Sequence, residues 1–181
     1  MAIPPKQLNT DYPVIDTDPH FWRVLRYARP SDYAVAAGTA AAGPAVFWLW
    51  ERNSPAILPK GAFAQSMRAA GAIGLTAGFL RFYLQSSLRF WGWTENQREI
   101  DMDMKEMVHK VKRKEPLYGE SVLTPYMQGV AARNSRYSQI FFHVMPWFNL
   151  VNHNQHGVDT AKYFLAAEDE LERERVLKEG R

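Results

Sequence analysis

Charged residues are spread unevenly along the 181-residue chain, and this pattern indicates how the chain is organised. The eighteen residues from Tyr33 to Trp50 carry no charge, and neither do the twelve from Ala69 to Leu80. Residues 1–94 hold fourteen charged side chains, whereas residues 95–181 hold twenty-seven. The pattern predicts an N-terminal extramembrane arm at residues 1–30, a helix hairpin at 31–93 and a polar C-terminal extension at 94–181.

The first uncharged segment has the length and the flanking residues of a membrane span. Eighteen helical residues rise about 27 Å, close to the roughly 30 Å thickness of the hydrocarbon core. Ser31 is a suitable N-cap, and Trp48 and Trp50 stand where charge resumes, as at a membrane interface. We predict a transmembrane helix here. The alternative is an Ala-rich helix buried in a soluble bundle.

The second uncharged segment is shorter, and its interpretation depends on the first. Twelve residues are more typical of a core helix than of a span. Arg68 and Arg81 bracket the segment, and if both side chains reach outward to the headgroups, its charged ends approach the membrane thickness. Apolar residues on both sides can also extend the helix. With a short Pro-containing loop between the segments, we predict an all-α membrane protein: a two-helix transmembrane hairpin with a polar, partly helical C-terminal extension.

Small residues recur at four-residue intervals in both segments. Gly74 and Gly78 form a GxxxG pattern, and Gly38 lies between Ala34 and Ala42 at the same interval. Small side chains on one stripe allow helix backbones to approach closely in lipid. We therefore predict Gly38, Gly74 and Gly78 as helix-packing residues. Six basic residues stand before the first uncharged segment or after the second, against three on the loop side, and this excess predicts both termini on the positive-inside face.

The polar half is predicted to be largely helical. A charged helix with a narrow apolar stripe runs from Glu95 to Glu115, and a densely charged helix runs from about Val158 to Lys178. Between them, a turn-rich aromatic stretch from Tyr118 to Phe148 is typical of a segment laid across a partner or a membrane surface. A basic cluster ends the first of these helices, and it either contacts anionic lipid headgroups or forms a solvated helix end. Its members are Lys110, Lys112, Arg113 and Lys114.

Composition and motifs exclude several kinds of chemistry. The formal net charge is only +3, which does not indicate nucleic-acid binding, and the chain has no cysteine for disulfides or thiolate metal sites. The mean hydropathy of −0.36 averages two unlike halves. Asp101 and Asp103 point to different sides of a helix and make no acid–base pair. No P-loop, dinucleotide-binding motif or serine triad is present.

Three histidines come closest to a site. His153 and His156 are separated by one helical turn, which is one spacing for metal ligands, and His143 lies ten residues upstream. Because no cysteine or HExxH motif accompanies them, we interpret them as interfacial or hydrogen-bonded residues. We predict no catalytic residue, no cofactor and no metal site.

Several segments of the chain resemble a known family. The stretch Tyr12–Phe21 with Asp16 and His20, the helix start Arg29–Tyr33 and the regions Trp91–Trp93 and His153–His156 carry the resemblance. They are similar to the fungal 21 kDa accessory subunit of mitochondrial complex I, the NADH:ubiquinone oxidoreductase. The N-terminal sequence has neither transit-peptide nor signal-peptide character, so targeting information would be internal.

The resemblance implies a structural role. A member of this family is expected to be a multi-pass subunit of the mitochondrial inner membrane, with its termini on the matrix side. It would contact core and accessory subunits of the membrane arm, together with membrane lipids, and catalyse no electron transfer itself. Two alternatives remain: a component of an inner-membrane translocase or transport complex, and a soluble helical enzyme.

Overall fold

The computed structural model describes residues 8–57, 59, 61–137 and 148–179. In these residues the regular structure is helical, in agreement with the predicted all-α class. The helices, in chain order, are α1 (Phe21–Arg26), α2 (Pro30–Asn53), α3 (Ala62–Phe90), α4 (Gln97–Lys112), α5 (Pro125–Ser135) and α6 (Ala161–Glu179). They belong to two compact units, one made of residues 1–23 and 87–181 and the other of residues 24–86.

The unit of residues 24–86 is an antiparallel pair of helices. The rings of Tyr33 and Phe82 lie 4.8 Å apart, and those of Phe47 and Phe63 lie 5.7 Å apart. The start of α2 therefore lies beside the end of α3, and the end of α2 beside the start of α3. At the N-terminus of α2, the Asp32 carboxylate accepts a hydrogen bond of 2.7 Å from the backbone N–H of Arg29.

Across the described residues, no helix combines the length and the apolar character that crossing a membrane requires. The predicted two-helix transmembrane hairpin is therefore wrong, and the multi-pass topology with matrix-side termini loses its basis. Length does not limit α2, which has 24 residues, but nine of them are alanine or glycine. Such small side chains gain little free energy on leaving water. In α3, arginines recur at 68, 81 and 89.

In the unit of residues 1–23 and 87–181, a short N-terminal segment bonds to the chain after α3. We call this segment, residues 12–18, the arm; it is shorter than the extramembrane arm predicted at residues 1–30. The backbone N–H of Tyr12 donates to the carbonyl of Gly92 at 3.1 Å, and that of Ile15 donates to Phe90 at 2.9 Å. Gly92 has φ +74°, and a Cβ there would overlap the carbonyl of Tyr12. The arm thus lies against the chain that leaves α3, and glycine makes that approach possible.

Helices α4, α5 and α6 provide the rest of this unit's core. Its fully buried apolar side chains include Phe90, Met107, Ala132, Tyr137 and Tyr163. The sequence did not predict α5, although its start is readable: Thr124 caps the helix, accepting from the backbone N–H of Met127, and Pro125 follows. This packing also encloses several charged groups.

Candidate functional site

Eight polar side chains meet inside the unit of residues 1–23 and 87–181, and we call them the buried polar cluster. Each is at most 9% exposed. The arm supplies two carboxylates, α1 an arginine, α4 a carboxylate, α5 a hydroxyl, the segment before α6 two imidazoles and α6 a phenol. The members are Asp16, Asp18, Arg23, Asp103, Ser135, His153, His156 and Tyr163.

Asp16 is the most heavily bonded carboxylate of the cluster. Its Oδ1 accepts from the ring Nδ1 of His156 at 2.8 Å and from the backbone N–H of Asp18 at 2.9 Å, while its Oδ2 accepts from Arg23 at 3.2 Å. Burial acts to raise the pKa of Asp16, but His156 and Arg23 outweigh burial and lower it. Asp16 is therefore held in its ionised form.

Asp18 lies two residues further on in a different environment. Its Oδ2 accepts from the hydroxyl of Ser135 at 2.5 Å and from Nε2 of His153 at 2.8 Å. Burial raises the pKa of Asp18, and these two hydrogen bonds offset only part of that effect. The two neighbouring carboxyls of the arm thus have pKa values displaced in opposite directions.

Arg23 connects the arm to α4. Its guanidinium pairs with Asp16 and with Asp103, and its Nε lies 3.6 Å from Glu106. The other oxygen of Asp103 accepts from the hydroxyl of Tyr163 at 2.6 Å. Burial, together with the charge of Asp103, raises the pKa of Tyr163, so this phenol stays protonated as a donor. The Arg23 side chain, which lies on α1, thus links the arm to α4.

The two histidines form part of an aromatic stack. The ring of His156 lies 3.6 Å from that of Tyr118, with an interplanar angle of 12°, and 4.7 Å from that of His153. His153 accepts the backbone N–H of Gln155 at its Nδ1, so its proton lies on Nε2, facing Asp18. The stack joins the segment before α6 to the connection between α4 and α5.

The polar side chains of this site bond mainly to one another. In the part of the chain that the structure describes, no group of three histidine or carboxylate side chains is arranged to hold a metal ion. The imidazoles of His153 and His156, the candidates for metal ligands in the sequence, face Asp18 and Asp16. His143, and residues 138–147 of the predicted aromatic stretch with it, lie outside the described residues.

The predicted helix-packing glycines occupy different environments in the α2–α3 pair. A Cβ added at Gly74 would overlap the carbonyl oxygen of Ala40, and one at Gly78 would lie 2.7 Å from that of Ala36. Around Gly38 a Cβ would meet nothing within 4 Å. Close approach therefore requires glycine at the two α3 positions, whereas the contacts within this chain do not require it at Gly38.

The basic cluster at the end of α4 is largely paired within the chain. Lys110 lies 3.0 Å from Glu106, Lys112 lies 2.6 Å from Glu170, and Arg113 lies 3.1 Å from Glu115. Lys114 has φ +57° and is exposed. Contact of Lys110, Lys112, Arg113 and Lys114 with lipid headgroups stays a prediction, and these ion pairs would compete with it.

Large apolar side chains are exposed along the α2–α3 pair. In α2, all of whose residues are described, Asp32 alone is buried. An apolar surface of this kind marks an interaction site more often than a solvated face. We call it the hairpin surface; its members are Tyr33, Val35, Val46, Trp48, Leu49 and Trp50 on α2 and Ile73, Leu75 and Phe79 on α3.

Sequence reasoning did not identify the buried polar cluster. It singled out His153 and His156 but not their acceptors: the structure pairs His153 with Asp18, 135 positions earlier, and His156 with Asp16, 140 positions earlier. One signal was present in the sequence. Two carboxylates lie close together at Asp16 and Asp18, and two imidazoles lie close together at His153 and His156, so each pair could bond to the other.

Two family models match the sequence. The model described as NADH-ubiquinone oxidoreductase complex I, 21 kDa subunit, matches residues 9–95, and the model for the C-terminal part of the 21 kDa subunit matches residues 104–180. The chain is also 59% identical over 173 residues to the NADH-ubiquinone oxidoreductase 20.9 kDa subunit of Neurospora crassa. That alignment covers 96% of this chain and 92% of the Neurospora protein.

Proposed function

The chain belongs to the family of the 21 kDa subunit of NADH-ubiquinone oxidoreductase, complex I, and from this premise we propose a structural role for it. As an accessory subunit of complex I it is a mitochondrial protein that associates with other subunits of the complex. Our proposal is that it supports assembly and stability of the membrane arm at the inner membrane and transfers no electrons itself. Neither comparison favours a translocase or transport component.

The hairpin surface is the observation that supports this role. Two long helices pack on each other through small residues and leave tryptophan and branched aliphatic side chains exposed. Each large apolar side chain gains about 1.5–3 kcal/mol when it is fully buried, so neighbouring subunits that cover this surface would stabilise the assembled complex. The absence of cysteine from the sequence is compatible with a subunit that ligates no iron–sulfur cluster.

The buried polar cluster supports the same role in a second way. Its charged groups are paired with one another inside the unit. Buried ionic networks fix the geometry of the elements that they join. We propose that this unit presents a fixed surface to its neighbours in complex I.

The experiment compares two substitutions at equally exposed apolar positions. Ile73 on the hairpin surface and Leu177 on α6 are each 71% exposed. In a strain that lacks the native subunit, Ile73→Lys is expected to lower assembled complex I by roughly tenfold on native gels, because a lysine charge would be buried in the subunit contact. Leu177→Lys is expected to leave assembly close to wild type. Equal assembly of both variants would refute the proposal.

A further inference from the structure

A cavity of about 230 Å³ opens at the surface of the unit of residues 1–23 and 87–181. Its lining consists of His20, residues 120–123 of the connection between α4 and α5, and residues 150–152 before α6. None of these residues belongs to the buried polar cluster or to the hairpin surface. We call it the aliphatic cavity, because half of its lining residues are aliphatic: Val122, Leu123, Leu150 and Val151.

A hydrogen bond joins the two segments that line the cavity. The side-chain amide of Asn152 donates to the backbone carbonyl of Glu120 at 3.0 Å. Gly119 has φ +77°, and a Cβ there would lie 2.7 Å from Nδ2 of Asn152, so glycine makes this contact possible. Within the second segment, the backbone N–H of Val151 donates to the side chain of Asn149 at 3.2 Å. The cavity is therefore formed before any partner binds, as binding sites usually are.

Aliphatic side chains of the lining are exposed to solvent. Val122 is 99% exposed and Leu150 is 62% exposed. His20 adds no positive charge at neutral pH, because burial lowers the pKa of its imidazole. A concave site with exposed apolar side chains is typical of a surface that another molecule covers.

The volume of the cavity favours a protein side chain over a cofactor. Sites for cofactors and other small molecules usually enclose about 300–1,000 Å³. An apolar cavity of about 150 Å³ accepts a benzene ring, so the aliphatic cavity has room for one aromatic or large aliphatic side chain. At protein interfaces, a few such side chains seated in pockets supply most of the binding free energy.

Glu120 gives the cavity a negative charge. It is the only carboxylate among the lining residues in the described part of the chain, and its side chain is exposed. No cation among the described residues pairs with it. A carboxylate at the rim of a contact attracts a lysine or arginine and repels the phosphate of a lipid headgroup. Charge complementarity therefore favours a basic segment of a protein as the partner.

We propose that the aliphatic cavity is a docking site for a neighbouring subunit of complex I. That subunit inserts one aromatic or large aliphatic side chain and places a lysine or arginine beside Glu120. This inference rests on the proposed structural role and adds a second contact to it, on the unit that does not contain the hairpin surface.

Photo-crosslinking within the assembled complex tests the docking site. Leu150 at the cavity and Val176 on α6 are matched positions, 62% and 63% exposed. Each is replaced by benzoylphenylalanine in a strain that lacks the native subunit, and the purified complex I is irradiated. From position 150 we expect a cross-link to one subunit, in a peptide that contains an aromatic or large aliphatic residue close to a lysine or arginine. Position 176 should not give this product.

A charge reversal tests the pairing of Glu120. Glu120→Lys should lower the cross-link yield from position 150 by roughly threefold, because an ion pair at the rim becomes a repulsion. Replacing the basic residue of the cross-linked peptide by glutamate should then restore the yield. Glu172→Lys, at an exposed glutamate of α6, should leave the yield unchanged.

Three results would overturn the docking site: no cross-link from position 150, cross-links to lipid alone, or equal yields after Glu120→Lys and Glu172→Lys. If the variant at position 150 does not assemble, the same reaction from Val122 decides. Assembly of the Ile73→Lys complex tests the structural role separately, so failure of the docking site and failure of that role give different results.

Discussion

At the residue scale, Arg23 shows why buried charges in this chain act together. Its guanidinium bonds to Asp16 and Asp103 and lies near Glu106, so one cation offsets several carboxylates from two elements. A buried ion pair adds little net stability over a well-packed apolar replacement, because desolvation cancels much of the attraction. Removing one partner is costly, however, since it leaves the other charge buried alone.

We therefore expect Arg23→Met to be strongly destabilising. The loss should be about 3–5 kcal/mol of unfolding free energy, because Asp16 and Asp103 would lose their shared cation. Lys112→Met is the control, since Lys112 pairs with Glu170 and Glu174 at the surface and its loss should have a much smaller effect. Thermal denaturation of the two variants checks this, and similar melting temperatures would contradict it.

Asp16 should make the free energy of unfolding depend on pH in the acid range. Its pKa in the folded chain lies below the ordinary value of 3.8, so its contribution to stability is present above that value and is lost as the pH falls through the folded-state pKa. Asp16→Asn should be less stable than the wild type at neutral pH, with a difference that shrinks below about pH 4. Chemical unfolding at a series of pH values measures this. A constant difference across the range would exclude the assignment.

The residue scale is also where prediction from sequence fails. His153 and His156 were interpreted as interfacial or hydrogen-bonded residues, but their partners could not be found, because these pairs are 135 and 140 residues apart. Contacts at that separation leave no periodic pattern in a single sequence. The roles of Arg23 and Asp103 were missed for the same reason.

At the element scale, the α2–α3 pair depends on where its glycines lie. Gly74 faces the backbone of Ala40, whereas Gly71, one turn earlier on the same helix, would accept a Cβ with nothing within 4 Å. The two positions have the same local helix but different neighbours. They provide a matched pair for testing close packing.

We expect Gly74→Ala and Gly71→Ala to have opposite effects. The first should cost about 1–3 kcal/mol, because the methyl group must push backbone atoms apart. The second should be neutral or should stabilise the helix by up to about 1 kcal/mol, since alanine is the better helix former. Assembly of complex I on native gels and the melting temperature of each variant measure these effects. Equal loss in both would show that helix contact is not responsible.

The sequence predicted the positions of several helices better than it predicted whether they lie in a membrane. The helices expected at Glu95–Glu115 and at about Val158–Lys178 are observed at Gln97–Lys112 and Ala161–Glu179, because charge and apolar periodicity are local signals. The membrane span was wrong because an uncharged segment is not by itself an apolar one. Helix α5 was missed because an aromatic stretch around it hid a short helix with little amphipathic character.

At the scale of the whole molecule, one unit is built from two distant parts of the chain. Residues 1–23 and 87–181 form this unit, and the intervening stretch of the sequence, residues 24–86, forms the other unit. Because the buried polar cluster takes members from both parts, neither part can complete that core alone. The predicted division at residues 30 and 93 follows composition and stays a prediction.

We expect the two parts of this unit to open together. In hydrogen exchange of complex I with increasing denaturant, peptides covering 12–18 and 149–157 should lose protection at the same concentration, since they share the hydrogen bonds around His156. Asp18→Ala should shift both transitions by the same amount and leave α2 peptides where they are. Loss of one peptide's protection well before the other's would contradict a shared core.

The separation of Asp16 and His156 along the chain also determines how long after Asp16 its partner His156 is synthesised. A ribosome adds roughly 5–20 residues per second, so the 140 residues between them take about 7–28 s to appear. During that interval the Asp16 carboxylate lacks the imidazole of His156, and the N–H of Thr17 lacks the His156 carbonyl that accepts it in the folded chain. A chain interrupted before residue 156 therefore lacks the partner to which Asp16 and Thr17 bond.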